Sequence, residues 1–320
     1  MSDLVIKCTV CQALLDEEDL FCSNCGTEAP QRGQAPSSTA ATSMHAFQCS
    51  GCGASMSYSA EQAKLACPFC ASTELVEKKD VKSLAPSRVV PMVLDQNAAM
   101  QALRSWLGQG FWRPGDLARL ATVESMKAVY VPYWVFRGQT HTYWTADTSQ
   151  TPSGARGDWF PLSGEHRGQY DGVLIGASAA LSAAETMEIA PFDLSTAVSP
   201  EQVDFGHAVQ EQFTVPRKYA RPLARQRLEE MDRQACDAIY IPGNSRNVKV
   251  NVKVEGMASE PVLLPVWIMA YRYKDEVYRF LVNGQTGRAT GRAPVSWTKI
   301  AVAIGIAVLV LLVLLLAMGR

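Results

Sequence analysis

Cysteine is the residue whose placement carries chemistry in this chain. Eight of the nine cysteines stand in four Cys-x-x-Cys pairs: Cys8 with Cys11, Cys22 with Cys25, Cys49 with Cys52, and Cys67 with Cys70. Two residues between thiols let one tight turn aim both sulfurs at a single ion, and a second such turn completes a tetrahedron. Ten residues separate Cys11 from Cys22 and fourteen separate Cys52 from Cys67, so each consecutive couple of pairs can close on one ion. The spacing predicts two zinc ions, one held by Cys8, Cys11, Cys22 and Cys25 and the other by Cys49, Cys52, Cys67 and Cys70. Thiolate fills every position of both sites, which leaves none for an activated water, so the ions are structural.

A Cys-x-x-Cys pair alone also fits a thioredoxin-like dithiol, but that motif is usually single and stands at a strand-to-helix turn. Gly26, Gly51 and Gly53 adjoin the cysteines and can take positive φ where the backbone folds over a metal. Zinc ribbons this short hold almost no core of their own, so the metal must hold them folded. Chelation is expected to unfold them and to leave the rest of the chain standing.

Charge argues against nucleic acid as the partner of these ribbons. Between Met1 and Glu28 a single lysine faces six carboxylates, and between Phe47 and Leu75 Lys64 faces Glu61 and Glu74. Phosphate binding needs a basic stripe, which neither stretch has. The whole chain carries a net charge of −1 over 320 residues, so no general pull toward nucleic acid or anionic lipid exists either. Protein contact is the expected use.

The elements that must position the cysteines divide the chain into a first zinc ribbon at 1–26, a flexible linker at 27–46, a second zinc ribbon at 47–76, a body at 87–294 and a transmembrane helix at 299–318. The linker is rich in Pro, Ser, Ala, Thr and Gln and cannot bury enough surface to order itself; His45 belongs to it and is not read as a ligand. From Ile300 to Met318 no charged or amide side chain occurs, and thirteen of these nineteen residues are Leu, Ile or Val. A helix of that length reaches about 28 Å, close to a hydrocarbon core of about 30 Å. Trp297 stands where an interfacial aromatic belongs, and Lys299 can reach back toward headgroups. Arg279, Arg288, Arg292 and Lys299 precede the span and only Arg320 follows it, so the positive-inside rule places the N-terminal part in the cytoplasm. No signal-peptide pattern follows Met1. The expected location is the inner (cytoplasmic) membrane, crossed once, a reducing setting in which paired cysteines hold metal and not disulfides.

The body reads as α+β and rich in antiparallel sheet. Arg88–Leu94 reads as a strand and Gln96–Leu107 as a helix with Ala99, Leu103, Trp106 and Leu107 on one face. A short helix is expected over Pro114–Thr122. Val131-Pro132-Tyr133-Trp134 and Leu264-Pro265-Val266-Trp267 share an aliphatic-Pro-x-Trp pattern, which suggests an internal duplication of a hairpin unit, each Pro placing a strand start at a sheet edge or bulge. Val248, Val250, Val252 and Val254 alternate with polar residues, a half-buried strand. Lys274-Asp275-Glu276 turns the chain, and Asp158–Ala177 reads as strand. Helices are expected over Pro200–Gln212 and Pro216–Ala238.

No catalytic constellation emerges, and no small-molecule substrate is evident. Glu165 and Asp171 near His166 could form an acid–base group, but a surface hydrogen bond explains them as well. His141 and His207 have no spacing that selects metal. Cys236 lies among apolar neighbours and reads as a small buried hydrophobe. Arg217, Lys218, Arg221, Arg225 and Arg227 read as a solvated face that could also meet acidic headgroups. Asn283-Gly284-Gln285-Thr286-Gly287 lacks the Gly-Lys-Ser/Thr ending of a phosphate loop and reads as a turn.

Cys22-Ser23-Asn24-Cys25-Gly26, Cys49-Ser50-Gly51-Cys52-Gly53, Cys67-Pro68-Phe69-Cys70, the Pro-x-Trp strands, Val282-Asn283-Gly284-Gln285-Thr286-Gly287 and the terminal apolar helix together resemble a bacterial family of membrane-anchored proteins with TFIIB-type zinc ribbons. Members are often labelled as relatives of the primosomal replication-restart helicase. That label does not carry over, because no G-x-x-x-x-G-K-S/T sequence occurs to bind ATP. The resemblance implies eight zinc cysteines and a non-enzymatic adaptor at the inner face of the membrane, working with flotillin-like or phage-shock-type coiled-coil proteins in envelope stress. The readings from other classes are a nucleic-acid-binding zinc-ribbon protein at the membrane and a thiol oxidoreductase.

Overall fold

The computed structural model describes residues 6–8, 10–12, 14–15, 44–59, 66–70, 72–78, 84–178 and 181–318. In chain order the strands β1 (Ile6–Lys7) and β2 (Leu14–Leu15) form a small hairpin; β3 (Met44–Cys49), β4 (Ser55–Ser59) and β5 (Leu75–Lys78) follow. Then come β6 (Arg88–Val89), α1 (Gln96–Leu107), α2 (Leu117–Leu120), β7 (Thr122–Thr148), β8 (Phe160–Gly176), α3 (Ala183–Ile189) and β9 (Val209–Glu211). The chain continues through α4 (Arg217–Tyr240), β10 (Ser245–Tyr273), β11 (Glu276–Asn283), β12 (Ala289–Gly291) and α5 (Trp297–Met318).

All strands from β3 onward belong to one ten-stranded sheet in the order β12-β11-β10-β7-β9-β4-β3-β5, with β8 also on β7 and β6 also on β10. The class is α+β, as the sequence predicts. The sheet is mixed, because β6 pairs with β10 and β9 with β7 in parallel. The strand expected over Arg88–Leu94 shrinks to two residues, since after Val90 the chain leaves to cap α1 with the Asp95 carboxylate. The helix expected over Pro200–Gln212 is a short 3-10 turn followed by β9. Its backbone groups are taken by the sheet instead.

The two long strands, β7 of 27 residues and β10 of 29, run antiparallel along nearly their whole length. Register shifts near Arg246, Val254 and Ala270 add local twist. Their centre is symmetric: Val131 lies opposite Leu264, Pro132 opposite Leu263 and Pro265 opposite Tyr130, so the two Pro-x-Trp segments face each other. Pro132 and Pro265 therefore sit in central strands, which corrects the expectation that each starts its own strand. Pro132 C=O accepts from Ala177 N–H, where β8 has just ended, and Pro265 C=O accepts from Gly284 N–H, where β11 has just ended. A strand residue points N–H and C=O to the same side, so each missing N–H faces the place where the outer neighbour stops. The prolines cost no ladder bond there.

On either side of this centre a helix covers the sheet. Ala99, Leu103 and Leu107 of α1 pack against Met269, Tyr271, Phe280 and Val282 of β10 and β11. Ala220, Ala224 and Leu228 of α4 pack against Trp134, Phe136 and Val173 of β7 and β8. Each helix thus covers the hairpin of the other half of the chain, which ties the halves together. The buried residues of α4 run Ala220, Ala224, Leu228, Asp232, Cys236, one per turn along a single stripe.

Asp232 is the anomaly on that stripe, fully buried opposite the sheet. Its carboxylate accepts from Thr140 Oγ1 at 3.0 Å, Thr142 Oγ1 at 2.7 Å and Tyr170 Oη at 2.6 Å. Gly168 makes room, because a Cβ there would come within 2.6 Å of both the Asp232 carboxylate and Thr140 Oγ1. Asp232→Ala is expected to lower stability by about 3 kcal/mol, since it strands the buried hydroxyls of Thr140 and Thr142 and the half-buried one of Tyr170 at once, and Asp232→Asn by less because it keeps one acceptor. Urea unfolding of the two variants checks the order; a loss below about 0.5 kcal/mol for the alanine variant would place the network among surface effects.

Candidate metal centre

Cys49 and Cys52 lie at the turn between β3 and β4, and Cys67 and Cys70 lie in a second turn ahead of β5. Cys49 closes β3, and the chain turns through Cys52 so that Gly53 N–H returns to Cys49 C=O at 2.9 Å with Gly53 at φ +77°. Only a residue tolerant of the left-handed region closes that turn without strain. Cys67 N–H bonds Ser72 C=O at 2.8 Å around the second knuckle. Gly51, expected to take positive φ, does not, and a Cβ there would meet Cys70 Sγ at 3.5 Å, an ordinary contact distance.

The sulfurs of Cys49, Cys52, Cys67 and Cys70 all lie within 4.8 Å of one another. Cys49 to Cys70 and Cys52 to Cys67 are both 3.5 Å apart. Zn–S bonds of about 2.3 Å in a tetrahedron put sulfurs about 3.8 Å apart, so the donor set fits such an ion. Cys49 and Cys67 are buried, Cys52 half-buried and Cys70 exposed, which closes the site on the inside.

The electrostatics of the four thiols favour a cation among them. Burial opposes ionisation of Cys49, but the N–H groups of Cys52 and Gly51 and the thiols of Cys70 and Cys67 outweigh it and lower its pKa to about 7. Burial, with a contribution from Cys70, pushes Cys52 up to about 11, and burial with the neighbouring Cys52 drives Cys67 upward as well. One thiolate forms readily and the next are opposed. A divalent ion reverses that opposition by supplying the countercharge to all four.

The Cys8 knuckle repeats the first of these turns. Gln12 N–H returns to Cys8 C=O at 3.1 Å, and Gln12 takes φ +59° as Gly53 does. Cys8 is buried and Cys11 half-buried, between the paired strands β1 and β2. Cys22, Cys25 and Gly26, predicted to complete that site, lie outside the described residues, as does most of the linker at 27–46. Met44, His45 and Ala46, expected in the linker, belong to β3.

The sheet carries the four-cysteine cluster directly. Met56 and Ser57 of β4 pair with Glu211 and Gln210 of β9, which in turn pairs with β7. Met56, Tyr58 and Phe69 belong to the same buried apolar cluster as Val129, Val131, Tyr133 and Val209. The cysteine-bearing strands β3, β4 and β5 extend the central sheet and share its core.

Glu211, at this junction, is 3% exposed, and both of its carboxylate oxygens are closed off from solvent. Burial raises its pKa from 4.5 to about 8, offset only in part by Ser178 and the charge of Arg279. The folded state therefore holds a proton that the unfolded chain releases, so the contribution is present below pH 4.5 and is lost as pH rises toward about 8. Glu211→Gln is expected to flatten the decline of stability across that window, by up to about 1.4 kcal/mol per pH unit. Denaturant midpoints of both proteins, measured through the window, check it; parallel curves would reject it.

The other residues singled out in the sequence do not converge on a site. His166 faces Asp232 and Tyr240, with Nε2 at 3.6 Å from the carboxylate and Nδ1 at 3.2 Å from the phenol. Glu165 instead meets His141 at 2.9 Å, and Asp171 lies 3.8 Å from Arg137, so the acid–base trio does not assemble. Cys236 is buried with Trp144, Ala146 and Ile241. In the basic stretch of α4, Arg225 pairs with Glu229 at 3.2 Å. Asn283 organises the turn before β12: its Oδ1 accepts from Gln285 and Thr286 N–H while its Nδ2 donates to Ile189 and Pro191 C=O. Asp232 escaped sequence reasoning because it stands next to a run of surface charges; its place in the Ala220-Ala224-Leu228 stripe was the available signal.

Among known proteins, the uncharacterized protein YdjG of Bacillus subtilis (strain 168) is 26% identical over 226 residues, a match covering 68% of this chain and 66% of that relative. The chain thus spans slightly less than two thirds of the relative's length. No family model and no solved structure matches the chain.

Proposed function

We propose that this chain is a non-enzymatic adaptor that holds zinc ribbons at a membrane surface and uses them for protein contact. The observation that carries the reading is the four-sulfur cluster at the end of the sheet. Its donor set is complete, so the ion organises a surface and activates nothing. The two sulfur contacts of 3.5 Å each join different knuckles, an arrangement suited to a shared ion more than to a dithiol within one knuckle. The second zinc ion is assigned to Cys8, Cys11, Cys22 and Cys25.

The ribbon offers a partner a strand edge. Among the described residues β5 ends the sheet, with Val76 52% exposed beside Glu77 and Lys78. Such an edge accepts an extended segment through main-chain bonds. The helix α5 supplies the tether, long and apolar enough to cross a membrane and with none of its spanning window buried. Arg279, Arg288, Arg292 and Lys299 assign the ribbon side to the cytoplasm, at the inner membrane. The partners suggested by the family resemblance are membrane-associated coiled-coil proteins of the flotillin-like or phage-shock type. The symmetric meeting of Val131 and Leu264 supports a duplicated hairpin as the origin of the body.

A photo-crosslinking amino acid at Val76, used in native membranes, tests the reading. The expected result is an adduct with a membrane-associated coiled-coil protein that disappears in Cys67→Ser. Adducts that survive loss of the cysteine, or that contain only nucleic acid, would overturn it.

A further inference from the structure

Between α1 and α2 the chain runs Gly110-Phe111-Trp112-Arg113-Pro114, and two large side chains there avoid the core. Phe111 is 73% and Trp112 is 49% exposed, with their rings edge to face at 5.0 Å. Exposed aromatics in an unconstrained loop would mean little. This loop is constrained from both sides.

From the body side, the Arg113 guanidinium lies 3.7 Å over the Trp106 ring of α1 and also donates to Trp106 C=O. From the other side the loop is bonded to the start of α5. Ser296 N–H donates to Trp112 C=O at 2.8 Å, and Lys299 Nζ donates to Phe111 C=O at 3.1 Å and Arg113 C=O at 2.9 Å. Two of the three Lys299 N–H donors thus go to the loop, where the sequence expectation sent the side chain toward headgroups. The aromatic pair is fixed at the level of the first turn of α5, where Trp297 is 79% exposed.

We infer that Phe111 and Trp112, with Trp297, form an aromatic seat in the headgroup boundary of a phospholipid bilayer, so that the body rests on the membrane at a fixed attitude and does not swing from a bare tether. The occupant is lipid because the loop is continuous, through five named residues, with the helix that enters the hydrocarbon. Trp at that depth keeps its ring apolar and its N–H wet, which is the balance an interface rewards. The inference rests on the reading that α5 spans.

The test uses the full chain in phosphatidylcholine–phosphatidylglycerol vesicles whose acyl chains are brominated near the headgroup end, with tryptophan emission as the readout. Of the seven tryptophans, Trp112 and Trp297 are the two placed at the boundary. Trp112→Phe is expected to lower the quenchable emission about twofold, Trp297→Phe by a similar factor, and the double variant to remove nearly all of it. If Trp297→Phe lowers quenching and Trp112→Phe leaves it unchanged, the helix is inserted but the loop is not seated, and the inference fails alone. If wild-type emission is not quenched and the chain stays in the aqueous fraction, the spanning helix fails and takes the seat with it.

Discussion

Chelating the metal from Cys49, Cys52, Cys67 and Cys70, or replacing Cys67 with Ser, is expected to unfold the second ribbon and to weaken the body that carries it. Structural zinc contributes roughly 10–16 kcal/mol of apparent folding free energy in small ribbons. That is as large as the whole stability of an ordinary domain, about 5–15 kcal/mol, so β3, β4 and β5 have no alternative support of comparable size. Their loss uncovers more than themselves. Met56, Tyr58 and Phe69 share one buried cluster with Val129, Val131, Tyr133 and Val209, and β9 loses its β4 neighbour. Exposing two or three such side chains costs about 3–6 kcal/mol, which in a body of this size lowers Tm by roughly 10 °C. The sequence alone suggested that the body would stand unaffected; the shared core and sheet remove that independence. Metal content and thermal unfolding with and without chelator check both halves of the expectation. Wild type should carry two zinc ions per chain and Cys67→Ser one. A body Tm that does not move on chelation would show that the ribbon is only attached.

The second large effect concerns the apolar helix. The thirteen Leu, Ile and Val residues between Ile300 and Met318 contribute about −5 kcal/mol to insertion, at roughly −0.4 kcal/mol each. Leu309 and Leu312 lie near the middle of that stretch. Replacing both with Lys costs about 3 kcal/mol per lysine and forfeits two leucines, together roughly 7 kcal/mol, which exceeds the favourable sum. The double variant is expected to leave the membrane fraction on alkaline extraction while its body unfolds at the wild-type temperature, because the window that holds these residues is not buried against the rest of the chain. A single Leu309→Lys, at about half the cost, should remain membrane-bound. A double variant retained as firmly as wild type would show that insertion does not hold the chain there.

The relation between sequence and structure is uneven, for identifiable reasons. Local signals survived intact: α1 over Gln96–Leu107, the alternating valines of β10, the turn at Lys274 with φ +54°, and the knuckle at Cys49. In each case the decisive contacts lie within a few residues of one another. Signals that depended on remote partners misled. Pro132 and Pro265 read as strand starts because a proline removes a ladder bond, but only the assembled sheet shows that β8 and β11 end beside them. Val209–Glu211 read as part of a helix because its pairing partners, β4 and β7, lie far away along the chain. Asp232 was not singled out, because its three hydroxyl donors come from β7 and β8, far from it along the chain.

By itself the sequence determined the chemistry available to this protein: sulfur pairs spaced for metal, and a terminal run too apolar on every face for water. Both are properties of neighbouring residues and of composition, so no fold was needed to read them. Tertiary structure alone decided that the cysteine-bearing strands are joined to the central sheet through Glu211 and Gln210, and that Phe111 and Trp112 are tied to the first turn of α5. Those juxtapositions join residues more than a hundred positions apart, and only long-range pairing and packing bring them together.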